Sequence, residues 1–199
     1  LDNEKYQLLQ IVSRAVRAMS EGELLQIEKA RRLDIKESIY YDIIEKKTAS
    51  LIAAACAAGT STATESKEDL EKMRTFGTKI GIAFQIRDDL FDFGTIDVGK
   101  PLGIDIKEQK MTLPLIYALE NTKKSQRKHI IKLIKKHNEE QDKVAEVIKF
   151  VRESGGLEYA QKAMYQYRAE AFEILDTFEK NEAREALREL VIYVTERKK

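Results

Sequence analysis

The chain has 199 residues, enough for one well-buried domain without disulfide or metal staples. Charged residues make up 35% of it but nearly cancel, and the formal net charge of +1 gives no general electrostatic reason to bind nucleic acid or an anionic membrane. The single cysteine, Cys56, excludes a disulfide framework or a cysteine-based zinc site within one chain. It suits a reducing cytoplasm, where we expect the protein to reside.

The apolar spacing predicts helix after helix and no strand, so we expect an all-α protein with one domain over residues 1–199. The predicted helices cover residues 3–30, 34–58, 66–93, 114–121, 123–137, 140–153, 157–178 and 182–197. Gly59 is predicted to break the second helix, and Thr112 to cap the fourth. Residues 94–110 are rich in glycine and are predicted to form a loop. The chain begins in a helical pattern, so we expect it to be the C-terminal portion of a longer protein.

Residues 123–137 carry many lysines and arginines on one predicted helix. A solvated face is the usual structure of such a segment. The alternative is a contact with phosphate or with a membrane surface. We therefore expect at most peripheral membrane contact and no nucleic-acid partner.

An acidic motif interrupts the apolar run of the third predicted helix, with Gln85 followed by Asp88, Asp89 and Asp92. Helical spacing places Asp88 and Asp92 on one face, with Gln85 one turn earlier. Close carboxylates repel each other, and burial among Phe and Leu adds a desolvation cost. A hard divalent cation removes both costs, because carboxylate oxygens are the ligands that Mg²⁺ prefers. The motif predicts a Mg²⁺ site, and a solvated acidic face is the alternative.

Three lysines and a hydroxyl complement these acids. Lys47 and Thr48 lie beside small residues and can contact a diphosphate with one point charge and one donor. The alternative, which these two residues alone would favour, is an exposed lysine and an inward-packed threonine. Lys100, in the loop after the acids, can bring a second ammonium to the same anion. Asp105 and Lys110 in that loop can extend or gate the site.

Five segments carry these residues in a fixed order: Glu21–Gln26, Lys47–Leu51, Gly81–Asp92, Gly99–Asp105 and Lys110–Pro114. In that order they resemble the trans-polyprenyl diphosphate synthases, especially the bacterial octaprenyl-type branch. The resemblance covers nearly the whole chain. It implies an isoprenoid synthase-type helical bundle around a central cavity, and usually a homodimer.

The resemblance also implies roles for the motif residues. Asp88, Asp89 and Asp92 match the second aspartate-rich motif, which holds Mg²⁺ on the diphosphate of an allylic substrate, with Asp88 as the direct ligand. Lys47 and Lys100 match the lysines that contact this diphosphate.

The remaining matched positions are polar or aromatic neighbours of the substrate. Thr48 and Gln85 match groups that steady the carbocation or the proton-removing step, so the implied catalytic set is Lys47, Thr48, Gln85 and Lys100. Phe84 matches an aromatic near the isoprenoid tail, and Lys110 joins the substrate-binding residues.

The implied activity is a Mg²⁺-dependent condensation of isopentenyl diphosphate with an allylic diphosphate. The first aspartate-rich motif is expected N-terminal to Leu1, so this chain would supply the second half of the site. The first alternative is a catalytically incomplete binding or regulatory subunit of a heteromeric synthase. A terpene cyclase is a second alternative, which Lys47 and Lys100 disfavour. A purely structural helical module is the third, which the acids within apolar sequence disfavour.

Overall fold

A computed structural model describes residues 6–30, 33, 35–94 and 102–197. Within these residues the protein is all-α, as predicted, and contains no strand. Its helices are α1 (Tyr6–Ala30), α2 (Glu37–Ile44), a π-helical turn (Glu45–Ala49), α3 (Ser50–Ala63), α4 (Lys67–Phe91), α5 (Ile104–Lys107), α6 (Leu113–Glu120), α7 (Lys124–Lys136), α8 (Gln141–Glu153), α9 (Gly156–Leu175) and α10 (Glu182–Glu196). In the described part, none of them is both long and apolar enough to span a bilayer.

The predicted break at Gly59 is wrong, because α3 continues to Ala63. The hydroxyls of Thr60, Ser61 and Thr62 each donate to a carbonyl oxygen one turn earlier, at 2.9, 2.8 and 2.7 Å. These bonds satisfy the hydroxyls inside the helix, so residue types that usually favour turns are accommodated there.

The predicted loop over residues 94–110 contains the short helix α5, which the sequence analysis missed. Four residues are too few to show helical periodicity. The Asn138 amide donates to the Lys107 carbonyl oxygen at 2.6 Å and so satisfies one carbonyl at its C-terminal end.

The predicted helix start at Ser66 and the predicted cap at Thr112 had opposite outcomes. Ser66 opens α4 as predicted, and its hydroxyl accepts the Asp69 N–H at 3.2 Å. Thr112 does not cap α6 with its side chain. Its hydroxyl is buried without a hydrogen-bond partner in the described structure.

Contacts within the chain define two compact units, and the expected single domain over residues 1–199 stays a prediction. The described part of the first unit comprises residues 6–25, 41–85 and 164–197. Its core contains buried apolar side chains from α4, α9 and α10: Phe76, Ile80, Ala171, Leu175 and Val191. Cys56 packs against this core, and burial raises the pKa of its thiol, which agrees with a packing role.

The second unit comprises residues 26–40 and 86–163 in the described part. Helices α6, α7 and α8 supply most of its buried side chains, among them Leu113, Leu115, Ile116, Leu119, Ile130, Ile134, Val147 and Val151. Gly156 starts α9 where a Cβ atom would lie 2.3 Å from the Pro114 carbonyl oxygen. This contact requires glycine, and it fixes α9 against the start of α6.

Candidate functional site

A seam of small residues joins α3 and the π-helical turn to α4. A Cβ atom on Gly81 would lie 2.4 Å from the Cα of Ala49, and one on Gly77 would lie 2.7 Å from the Cα of Ala53. Ala49 and Ala53 are both buried. Because each pair is one helical turn from the next, the two backbones pass closely along this length.

The next pair along this seam consists of two predicted site residues. The Thr48 hydroxyl donates to the Gln85 Oε1 atom at 2.9 Å, although 37 positions separate them in the chain. The seam thus explains why a hydroxyl and an amide from distant segments meet. Both side chains are half-buried.

Lys47 and Thr48 lie on the π-helical turn Glu45–Ala49. A Cβ atom on Gly22 of α1 would lie 2.6 Å from the Lys47 backbone nitrogen, so α1 packs directly on this turn. Single π-helical turns are rare and frequently occur at functional sites. The Lys47 ammonium pairs with the Glu23 carboxylate at 2.6 Å, and Glu23 was not among the predicted site residues. Its position in the Glu21–Gln26 segment, one of the five that carry the resemblance, was the sequence signal that could have identified Glu23.

The acidic motif lies at the C-terminal end of α4, in the second unit. Asp89 is only 4% exposed, and its Oδ2 atom accepts the Tyr40 hydroxyl at 2.7 Å. Asp88 is half-buried. Tyr40 was missed by the sequence analysis, because a tyrosine on a buried helix face reads as an ordinary core residue.

Asp92 lies just beyond α4, which ends at Phe91, so the predicted shared helix face of Asp88 and Asp92 needs correction. Its carboxylate accepts the backbone N–H groups of Ile104 at 2.7 Å and Asp105 at 3.2 Å. Helix N-terminal N–H groups lack partners within the helix and readily bind a carboxylate. The end of the motif is therefore fixed by α5.

Two carboxyl groups here have shifted pKa values. Burial raises the pKa of Asp92 to about 6, and the nearby Asp105 carboxylate adds to the rise, while the backbone N–H donors oppose it. Burial also raises the pKa of Asp105, and the Lys110 ammonium opposes that shift. Lys110 pairs with Asp105 at 3.4 Å and with Glu108 at 2.5 Å. Burial thus disfavours the ionised form of both neighbouring carboxyl groups.

Phe84 and Lys100 are the remaining predicted site residues. Phe84 stacks beneath the Arg197 guanidinium, whose carbon lies 4.5 Å from the ring centroid; no sequence signal pointed to Arg197. Lys100 falls outside the described residues. Among those described, no three His, Cys, Asp or Glu side chains gather as a metal-binding group. The expectations that Asp88, Asp89 and Asp92 hold a metal, and that a central cavity lies in the bundle, stay predictions.

The model of the polyprenyl synthetase family matches residues 1–151. The chain is 38% identical over 179 residues to a short chain isoprenyl diphosphate synthase of Methanothermobacter thermautotrophicus, covering 89% of this chain and 54% of the relative. It is 32% identical over 192 residues to heptaprenyl diphosphate synthase component 2 of Geobacillus stearothermophilus, covering 94% and 58%.

Solved structures agree with the sequence relatives. Geranylgeranyl pyrophosphate synthase of Bacteroides thetaiotaomicron superposes with a TM-score of 0.89 at 36% identity, covering 96% of this chain and 64% of the other. A polyprenyl synthase of Caulobacter crescentus, solved with calcium and isoprenyl diphosphate, gives 0.91 at 31% identity, covering 100% and 61%. The chain spans 54% and 58% of the two curated relatives, about half their length. It belongs to the polyprenyl synthetase family.

Proposed function

We propose that this chain supplies the second aspartate-rich half of the active site in a trans-polyprenyl diphosphate synthase. The observation that carries the proposal is the family match over residues 1–151, a range that contains every predicted site residue. The substrates are an allylic diphosphate and isopentenyl diphosphate. The synthase is proposed to be cytoplasmic and to assemble as a homodimer.

The proposed reaction joins two isoprenoid units. The bond between C1 and the diphosphate oxygen of the allylic substrate breaks, and the diphosphate leaves with the electron pair. The isopentenyl double bond attacks C1, and a proton is then lost from the new chain to the released diphosphate. Negative charge develops on the departing group, so donors placed there lower the barrier.

The chain's cationic and polar side chains are assigned to that leaving group. Lys47, Lys100 and Lys110 bind the diphosphate, and each ammonium supplies a point charge. The Thr48 hydroxyl and the Gln85 amide, held together at 2.9 Å, steady the cation or the proton-removing step. Phe84 contacts the isoprenoid tail.

The acidic residues Asp88, Asp89 and Asp92 are assigned to Mg²⁺. Their hard oxygen atoms suit this ion, and the pKa of Asp92, raised first by burial and then by the nearby Asp105 carboxylate, supports a position that a divalent cation would stabilise. Bound Mg²⁺ would neutralise charge on the departing diphosphate. Asp88 is proposed as its direct ligand.

Calorimetric titration of geranyl diphosphate with and without Mg²⁺ tests this proposal. A few carboxylates bind Mg²⁺ weakly, and the diphosphate supplies further oxygens, so each ligand should tighten the other by the same factor. We expect a coupling of about tenfold or more. Asp88→Asn should abolish the coupling by removing a charged ligand.

The matched control is Asp142→Asn on α8, an exposed carboxylate that pairs only with Lys143 at 3.4 Å in the described structure. Its coupling should equal that of the unmodified chain. Equal geranyl diphosphate affinity with and without Mg²⁺, or coupling that survives Asp88→Asn, would contradict the proposal.

A second candidate function is that of one component in a heteromeric synthase. Heptaprenyl diphosphate synthase component 2 of Geobacillus stearothermophilus and that of Bacillus subtilis are both similar to this chain, at 32% and 29% identity. Affinity purification of this chain, expressed with a tag in the source cell, distinguishes the heteromer from the homodimer. A different prenyl synthase subunit recovered in equal amounts supports the heteromer, and recovery of this sequence alone supports the homodimer.

A further inference from the structure

The C-terminal end of α4 is held by a guanidinium from α8. Arg152 donates through Nε to the Phe93 carbonyl oxygen at 2.9 Å and through Nη2 to the Gly94 carbonyl oxygen at 2.8 Å. Carbonyls in the turn just after α4, which ends at Phe91, need hydrogen-bond donors from elsewhere in the chain. A planar guanidinium can bind two of them at once, which a lysine ammonium cannot do with the same geometry.

Asp92 holds the same end of α4 from the other direction. Its backbone carbonyl oxygen accepts the Gly103 N–H at 3.1 Å. Its two carboxylate oxygens accept the N–H groups of Ile104 and Asp105. Each oxygen can accept on two sides, so these bonds leave room for another donor or a cation.

The same helix, α8, also fixes α5. Gly103 has a φ of +77°, and a Cβ atom there would lie 2.3 Å from the Val144 Cγ1 atom. Val144 is buried on α8, two turns before Arg152. Helix α8 therefore contacts both chain segments that meet at Asp92, residues 93–94 and Gly103. We call Arg152, residues 92–94 and residues 103–105 the motif clasp.

In the described structure Arg152 has no carboxylate partner, and both of its hydrogen bonds go to main-chain carbonyls. A surface arginine usually pairs with acids or with water. Here a partly buried guanidinium, whose desolvation costs free energy, donates only to backbone carbonyls next to the acidic motif in the described structure. Such an arrangement holds the turn that directly follows the acidic motif.

We propose that Arg152 is a positioning residue for the acidic motif. It acts through the Phe93 and Gly94 carbonyls and, together with the α5 bonds of Asp92, sets the orientation in which Asp88 meets Mg²⁺ and diphosphate. This inference rests on the proposed function. Arg152 itself does not contact the substrate.

The test compares Arg152→Gln and Arg152→Lys with a matched control, Arg127→Gln on α7, which has no ion pair in the described structure. Geranyl diphosphate is titrated with and without Mg²⁺. Partners that orient metal ligands change metal affinity by about 10- to 100-fold when removed. We expect Arg152→Gln to weaken Mg²⁺-dependent binding by that factor while Mg²⁺-independent binding stays unchanged.

Arg152→Lys should lie between Arg152→Gln and the unmodified chain, because it keeps the charge but not the two-carbonyl geometry. A general loss of structure would instead reduce both kinds of binding equally, so the split between them separates positioning from folding. Coupling equal to that of the unmodified chain in both Arg152 variants would overturn the inference. Absence of coupling in the unmodified chain would overturn the proposed function instead.

Amide hydrogen exchange on the unmodified chain provides a measurement that needs no variant. The Gly103, Ile104 and Asp105 amides all donate hydrogen bonds to Asp92. If the clasp and the ligand site are coupled, Mg²⁺ with geranyl diphosphate should slow the exchange of these amides. Unchanged exchange at saturating ligand would contradict the proposal.

Discussion

Lys47 forms a 2.6 Å ion pair with Glu23, so a diphosphate that recruits this ammonium must compete with a carboxylate already in place. The two side chains are 38% and 50% exposed, and solvent screens their attraction. A pair with this exposure is worth about 0.2–1 kcal/mol. The ion pair keeps Lys47 oriented but does not bind it strongly.

We predict that Glu23→Gln strengthens diphosphate binding by up to about fivefold, the equivalent of 1 kcal/mol. The amide retains the shape of the side chain and removes its competing charge. Calorimetric titration of inorganic diphosphate measures the change. Glu71→Gln, which removes a similar exposed partner from Arg74, is the control and should have no effect. Weaker binding by Glu23→Gln would show that Glu23 supports the ligand instead of competing with it.

The protonation state of Tyr159 affects the free energy of unfolding at high pH. Its hydroxyl donates to the Glu37 Oε1 atom at 2.7 Å, and its ring stacks on Tyr117 with centroids 4.2 Å apart. Burial raises the pKa of Tyr159 to about 12, and the hydrogen bond to Glu37 adds to the rise. The folded state therefore holds this proton more tightly than the unfolded state, where the pKa is about 10.

Between about pH 10 and 12 the unfolded chain loses this proton first, so the free energy of unfolding falls as pH rises through that window. We predict that Tyr159→Phe lowers the free energy of unfolding by about 1 kcal/mol at pH 8, the value of a typical hydrogen bond. The difference from the unmodified chain should shrink above pH 10. Urea unfolding at several pH values measures both effects, with the exposed Tyr193→Phe as control. A difference that is constant to pH 11.5 would count against the assignment.

At the scale of elements, the α3–α4 seam makes its own prediction. Gly81→Ala places a methyl group 2.4 Å from the Ala49 backbone, so the helices must separate. We expect a loss of about 1–3 kcal/mol in unfolding free energy. The Thr48–Gln85 bond lies one turn away, so diphosphate binding should weaken as well.

Gly59→Ala in α3 is the matched control, because nothing lies within 4 Å of its Cβ position. It should stabilise the helix by about 0.5–1 kcal/mol, since alanine loses less backbone entropy than glycine. Thermal unfolding of both variants gives the comparison. Equal effects of the two substitutions would mean that the seam does not fix the spacing of the helices.

The elements also show what the sequence could and could not reveal. The 3.6-residue spacing was enough to predict α4 and most other helices, because each buries an apolar face. The π-helical turn leaves no signal in the spacing of the apolar residues, and its close contact with Gly22 of α1 joins segments far apart in the chain. The position of Asp92 outside α4 likewise depends on donors from Ile104 and Asp105, which lie more than ten residues later.

At the scale of the whole molecule, an apolar face of α1 faces solvent. Tyr6, Leu9, Val12 and Val16 are 52–62% exposed and follow one another at three- and four-residue intervals, as one helix face requires. Apolar surface of this kind marks association sites in soluble proteins. The chain should therefore self-associate through this face.

We predict that sedimentation velocity at micromolar concentration shows a dimer or larger assembly. The double substitution Val12→Glu and Val16→Glu should shift it to monomer, because two carboxylates would have to be desolvated in the contact. Leu190→Glu, on an exposed position of α10, is the control and should leave the assembly intact. A clean monomer for the unmodified chain would contradict the prediction.

Helix α7 makes the charge of the molecule uneven. Residues 123–136 contain seven lysines and arginines and no acid, yet the whole chain carries only +1. The remainder is therefore net acidic, and the charge is unevenly distributed along the chain despite its near-neutral total. At low ionic strength it should adsorb in a preferred orientation and be retained by both cation and anion exchangers. Its solubility should rise with added salt near pH 7.9, the sequence isoelectric point, because ions screen head-to-tail attraction between copies.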